Sequence, residues 1–135
     1  MTGQFPGGEP GMSNAITILT VLVVEDDVLV RMHGIDILEE AGFHVIEADN
    51  ADDALTILND GALVHLLFSD IDMPGSLDGL GLAQLVHIRW PLLPLLLTSG
   101  HHRLADDDTP KGAKFVRKPW SSDALLSHVR QLVAA

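Results

Sequence analysis

The stretch Leu66-Leu67-Phe68-Ser69-Asp70-Ile71-Asp72-Met73-Pro74 constrains this chain more than any other. Three large apolar residues run without alternation into a carboxylate. A short continuous run of this kind reads as a strand buried on both faces. The strand is expected to end at Asp70, because Pro74, Gly75 and Ser76 then force a loop. A carboxylate at the end of a buried strand is held by a rigid element yet reaches solvent, which suits a nucleophile or a metal ligand. On this segment alone, a solvated residue that merely stops a strand is the simpler reading. The ends of three other strands shift that balance.

Residues 18–24 form an expected first strand, apolar and β-branched, that runs into Glu25-Asp26-Asp27. Adjacent carboxylates repel unless a cation or solvent separates them. Asp27 suits the N-cap of the following helix, residues 28–41, while Glu25 and Asp26 face the strand ends. That helix has an apolar face of Val30, Ile37, Leu38 and Ala41. Gly34 inside it costs about 1 kcal/mol relative to Ala and is read as permitting close approach to the sheet. His33 reads as a surface or boundary residue.

A second strand is expected over 43–48. Asn50 or Asp49 caps a helix over 51–59, and Asp60-Gly61 turns the chain into a third strand over 64–69. A helix over 79–89 stops at Trp90-Pro91. A strongly apolar strand over 92–97 runs up to Thr98-Ser99-Gly100, with Pro94 near its start or at a bulge. Residues 101–112, with three consecutive aspartates, a Thr-Pro and Leu104 as the one large apolar side chain, make a poor helix. The span 101–111 is therefore expected to be a turn or mobile segment. A fifth short strand over 114–117 ends at Lys118-Pro119. Ser121 or Ser122 caps a final helix to residue 134, with a stripe of Leu125, Leu126, Val129, Leu132 and Val133.

At 135 residues and 47% apolar content the chain is read as one domain, residues 16–135, long enough for a core. Residues 1–15 hold four glycines and two prolines and are expected to be a disordered tail. There are no cysteines, which excludes disulfides and thiolate metal sites. A net charge of −11 argues against direct nucleic-acid binding and suits a cation or a basic protein surface. Neither a membrane span nor a signal peptide is legible.

Strands alternating with helices imply a parallel sheet covered on both faces, with right-handed crossovers. All the C-terminal strand ends then lie along one edge, where ligands of such sheets bind. Glu25-Asp26, Asp70, Thr98 and Lys118 meet there. Carboxylates hold a hard cation through oxygen, and a hydroxyl and an ammonium each take a phosphoryl oxygen. Together they describe phosphoryl transfer to Asp70 with magnesium neutralising charge.

The order and spacing of Val23-Val24-Glu25-Asp26, Ser69-Asp70 with Met73-Pro74, Asp78-Gly79, Leu97-Thr98-Ser99-Gly100 and Phe115-Val116-Arg117-Lys118-Pro119 resemble a response-regulator receiver domain, from about residue 18 to residue 135. The resemblance implies a three-layer α/β/α sandwich, flavodoxin-like, with a five-stranded parallel sheet in the order 2-1-3-4-5, here with a weak or irregular fourth helix. It implies that Asp70 is the phosphoacceptor, with Thr98 and Lys118 completing the catalytic set. Mg²⁺ would be held by Glu25, Asp26, Asp70 and the main-chain carbonyl of Asp72. Thr98 and Phe115 would be the switch, Phe115 turning inward as the Thr98 hydroxyl moves toward the phosphoryl group.

By the same resemblance the phosphoryl group comes from a histidine kinase or histidine phosphotransfer protein. The product hydrolyses slowly, so the protein is a timer more than an enzyme. It is expected in the cytoplasm, as a monomer or weak dimer. No output domain follows Ala135, so the signal is expected to pass to a separate protein partner. The pattern departs from the family at Glu25, where aspartate is commoner, at Phe115, where tyrosine is frequent, at the longer loop after Pro74, and at Asp72, which adds a negative charge. Two other classes are compatible with parts of the chain. Asp70-Ile71-Asp72 resembles the paired aspartates of haloacid-dehalogenase-type phosphatases, although these follow that family's first strand. A flavin-binding domain shares the fold, but its phosphate would meet Glu25-Asp26-Asp27.

Overall fold

In a computed structural model, which describes residues 17–74, 77–100 and 109–134, the apolar runs become the strands of one sheet. Strands β1 (Thr20–Val24), β2 (His44–Ala48), β3 (Leu66–Asp70), β4 (Leu95–Ser99) and β5 (Lys114–Arg117) are interleaved with helices α1 (Val28–Glu40), α2 (Ala51–Asn59) and α3 (Gly79–Arg89). Helix α4 (Ser122–Ala134) follows β5. Every pairing is parallel and the order is β2-β1-β3-β4-β5, as the resemblance implies.

The absence of alternation in β1, β3 and β4 has a direct cause. Successive side chains point to opposite faces, and both faces are dry. Val21, Val23, Leu66, Phe68 and Leu96 pack with Ile37 and Leu38 of α1 and Leu125, Val129 and Leu132 of α4. Leu22, Val24, Leu67, Leu95 and Leu97 pack on the other face with Ala54 and Leu58 of α2 and Leu82 and Val86 of α3. Side-chain caps start the helices. Asp27 accepts from the amides of Leu29 and Val30, Asn50 from Asp53, Asp78 from Gly81 and Ser121 from Ala124.

Four strands start later than expected, β1 at Thr20 and β2 at His44 among them, and two also run further. β3 starts at Leu66 and includes Asp70, and β4 starts at Leu95 and includes Thr98 and Ser99. Pro94 has no N–H to place in a ladder, but its carbonyl accepts from Leu67 N at 3.0 Å, so pairing begins immediately after it. Leu92 is left 94% exposed. The expected tail over residues 1–15 and most of the weak helix expected over 101–112 lie outside the described residues. Residues 109–113 form a turn in which Ala113 N donates to Pro110 O at 3.1 Å, with Gly112 at φ 87°.

Pairing sets the site. Val24 stands beside Ser69, Asp70 beside Thr98, and Ser99 beside Arg117, so the strand ends are level. Gly79 lets α3 begin against the end of β3. A Cβ there would collide with the Asp70 carbonyl and lie 2.6 Å from the Ile71 Cα.

Candidate functional site

Four predicted groups converge at the C-terminal edge of the sheet. The Lys118 ammonium donates to Glu25 Oε1 at 2.7 Å and to Asp70 Oδ2 at 2.9 Å. Glu25 and Asp70 are almost fully buried, at 4% and 3% exposure, while Asp26 is exposed. Carboxylate oxygens of Glu25, Asp26 and Asp70 lie within 4.8 Å of one another. A set of clustered hard oxygens, two buried and one open to solvent, fits a divalent cation such as Mg²⁺.

The backbone around these groups is pinned. Glu25 N donates to Ala48 O at 3.1 Å, and Arg31 Nη1 donates to Glu25 O at 2.7 Å. Asp27 N donates to Glu25 Oε2 at 3.1 Å. The second Asp70 oxygen, Oδ1, accepts from Asp72 N at 2.9 Å, and Ile71 N donates to Thr98 O at 3.0 Å. Ile71 and Met73 bury their side chains in the core and anchor the loop that carries Asp72. Lys118 N donates to Ser99 O at 3.0 Å, and the Lys118–Pro119 bond is cis.

The electrostatics follow from burial. Desolvation pushes the Glu25 carboxyl up to about 7, and the Asp70 charge adds to this, against the opposing bonds from Lys118 and Asp27 N–H. Burial works to lower the Lys118 pKa, but its bonds to Glu25 and Asp70 outweigh that and hold it above its ordinary 10.5. Lys118 is therefore a fixed cation in an acidic pocket.

Thr98 is buried, and its Oγ1 accepts a hydrogen bond from Trp120 Nε1 at 3.1 Å. Strand alternation puts Thr98 on the face of Leu96 and Asp70 on the face of Phe68, which is the same face. Phe115 is half-buried against the opposite core, and its neighbour Val116 is the residue paired with Thr98. The Asp72 carboxylate does not stand as a bare extra charge, because the Ser99 hydroxyl donates to its Oδ2. Trp120 and Ser99 are the functional candidates that sequence reasoning missed. The available signal was an isolated tryptophan two residues after Lys118, and a second hydroxyl beside Thr98.

Among the described residues no helix is long and apolar enough to cross a membrane. The family model for the response regulator receiver domain matches residues 21–130. The response regulator receiver protein CpdR of Brucella abortus (strain 2308) is 32% identical over 118 residues, covering 85% of this chain and 97% of CpdR. An NtrX-like response regulator of Rickettsia bellii (strain RML369-C) is 33% identical over 115 residues, which cover 82% of this chain and 24% of that longer protein. The chain thus spans about a quarter of the NtrX-like relatives it matches. The crystal structure of a response regulator receiver protein from Sinorhizobium medicae WSM419 superposes with a TM-score of 0.83 at 26% identity, over 87% of this chain and 96% of the other. With the fold, the level strand ends and the matched family model in agreement, the chain belongs to the response regulator receiver family of two-component signalling systems.

Proposed function

We propose that Asp70 accepts a phosphoryl group from the phosphohistidine of a kinase or phosphotransfer protein, and that the resulting change is passed to a downstream protein partner. The observation that carries this is one buried carboxylate, Asp70, bonded to Lys118 at 2.9 Å and lying within 4.8 Å of the Glu25 and Asp26 oxygens. An Asp70 oxygen attacks phosphorus, the P–N bond breaks, and the donor imidazole leaves with the bonding pair. The product is an acyl phosphate.

Each residue has a task in this reading. Asp72 N–H holds Asp70 Oδ1, which orients the carboxylate. Lys118 is free to follow negative charge from Asp70 to a phosphoryl oxygen, and the Thr98 hydroxyl, on the same face, donates to another. Glu25, Asp26, Asp70 and the Asp72 main-chain carbonyl would hold Mg²⁺, which supplies charge that offsets the oxygens gathered on the transferred group. Phe115, next in the strand to the partner of Thr98, is the aromatic proposed to repack as Thr98 responds.

Two features speak against the other classes. Glu25 and Asp26 would repel a flavin phosphate, and the Asp72 carboxylate is already engaged with Ser99, away from the role of a second catalytic acid. The test is incubation with a small acyl-phosphate donor and Mg²⁺, followed by intact-mass analysis. Wild type should gain one phosphoryl group and Asp70→Asn none, since an amide is a far weaker nucleophile. Modification of Asp70→Asn at wild-type yield would contradict the assignment.

A further inference from the structure

We infer that Trp120 is a positioning residue for the phosphoryl site: its indole N–H pins the Thr98 hydroxyl beside Asp70 and leaves the hydroxyl proton to be donated. This rests on the proposed phosphorylation of Asp70. A threonine hydroxyl has one proton to donate and two lone pairs to accept with. Trp120 Nε1 occupies a lone pair at 3.1 Å, and an indole N–H can only donate. The hydroxyl is thus satisfied as an acceptor, and its proton is available to an oxygen on the same face of the sheet. Asp70 is the residue paired with Thr98 on that face.

The indole is itself held on several sides. Trp120 as a residue is 6% exposed, and its ring stacks on His33 with centroids 5.2 Å apart at 1° and meets Phe68 edge-on at 5.6 Å. Gly34 of α1 opens the slot, because a Cβ there would sit 3.2 Å from Trp120 Cη2. On the side of the site, Asp70, Thr98, Glu25, Phe68 and Trp120 surround a space of only about 10 Å³, while on its outer side the ring borders a more open groove with Leu29, Val30 and His33. A ring this constrained fixes the position of whatever its N–H binds. Phenylalanine would keep part of the packing and remove the donor, and the Thr98→Val background separates the two losses.

The experiment is calorimetric titration with beryllofluoride, a phosphoryl mimic, in the presence of Mg²⁺. It uses wild type, Asp70→Asn, Trp120→Phe, Thr98→Val and the double variant, each checked for a cooperative melt. Wild type should bind and Asp70→Asn should not. Trp120→Phe should bind roughly 3- to 10-fold more weakly, the scale of one neutral hydrogen bond. In the Thr98→Val background the same substitution should have no further effect, because there is no hydroxyl left to position. An effect of Trp120→Phe that persists in that background would mark a packing role and overturn the inference, as would wild-type affinity in Trp120→Phe. Failure of wild type to bind, or binding undiminished in Asp70→Asn, would overturn the reading of Asp70 and this inference with it.

Discussion

Lys118 links Glu25 and Asp70 as a single cation between two buried carboxylates, so each residue's chemistry depends on the others. Asp26 differs from both in being exposed, which makes it the one member of the cluster removable without leaving a buried charge unpaired. Asp26→Asn should therefore keep the fold and weaken Mg²⁺ binding by at least roughly tenfold, since loss of even an outer-shell partner costs that much. A calorimetric Mg²⁺ titration with unchanged affinity would count against this site. Glu25 carries a pH signature. Its folded pKa of about 7 lies above the ordinary 4.5, so the folded state holds the proton more tightly than the unfolded chain. Its contribution to stability is fully present below about 4.5 and is lost as pH rises through about 7. In chelator, the denaturation midpoint of wild type should fall relative to Glu25→Gln across that window. Parallel curves would show that burial of Glu25 has no such effect.

Among the elements, β3 and α3 matter most, because they meet at Asp70, the proposed phosphoacceptor. Gly79 begins α3 with its backbone against Asp70 and Ile71. In an ordinary helical position, exchange of glycine for alanine stabilises by up to about 1 kcal/mol. Here a Cβ would stand 2.6 Å from backbone atoms of both residues, which cannot give way as a flexible side chain would. Gly79→Ala should instead destabilise by about 1–3 kcal/mol, the usual cost of overpacking, and should lower phosphorylation of Asp70 by moving its backbone. Urea denaturation measures the first effect and intact mass the second. A variant as stable as wild type would show that α3 can shift away from β3 without cost.

At the scale of the molecule, and among the described residues, both faces of the sheet are packed while the polar edge gathers three carboxylates around the Lys118 ammonium. A cation that binds the folded edge, and not the unfolded chain, stabilises the whole domain by mass action. Mg²⁺ at 100 times its dissociation constant should add about 2.7 kcal/mol to the unfolding free energy. Asp70→Asn should lose most of that gain. Equal stabilisation of both proteins by Mg²⁺ in thermal melts would point to general screening of the net charge of −11 rather than to a site.

Much of this was legible in the chain because it is local. Unbroken apolar runs such as Leu66-Leu67-Phe68 can only be central strands once helices alternate with them, and parallel connections bring every run's polar end to one edge. That logic suffices for Glu25, Asp26, Asp70, Thr98 and Lys118. It cannot say where pairing starts, and β4 begins later than its apolar run because Pro94 offers a carbonyl and no amide. Nor can it say which side chains touch. Lys118 reaches Glu25 across 93 positions of sequence, and Trp120 reaches Thr98 across 22. Those contacts depend on strand register, on the slot that Gly34 leaves in α1, and on the burial that raises Glu25 toward neutrality. Periodicity specifies elements because each residue's neighbours along the chain set it. Contacts between elements depend on how they pack in three dimensions, and only the tertiary structure decided them.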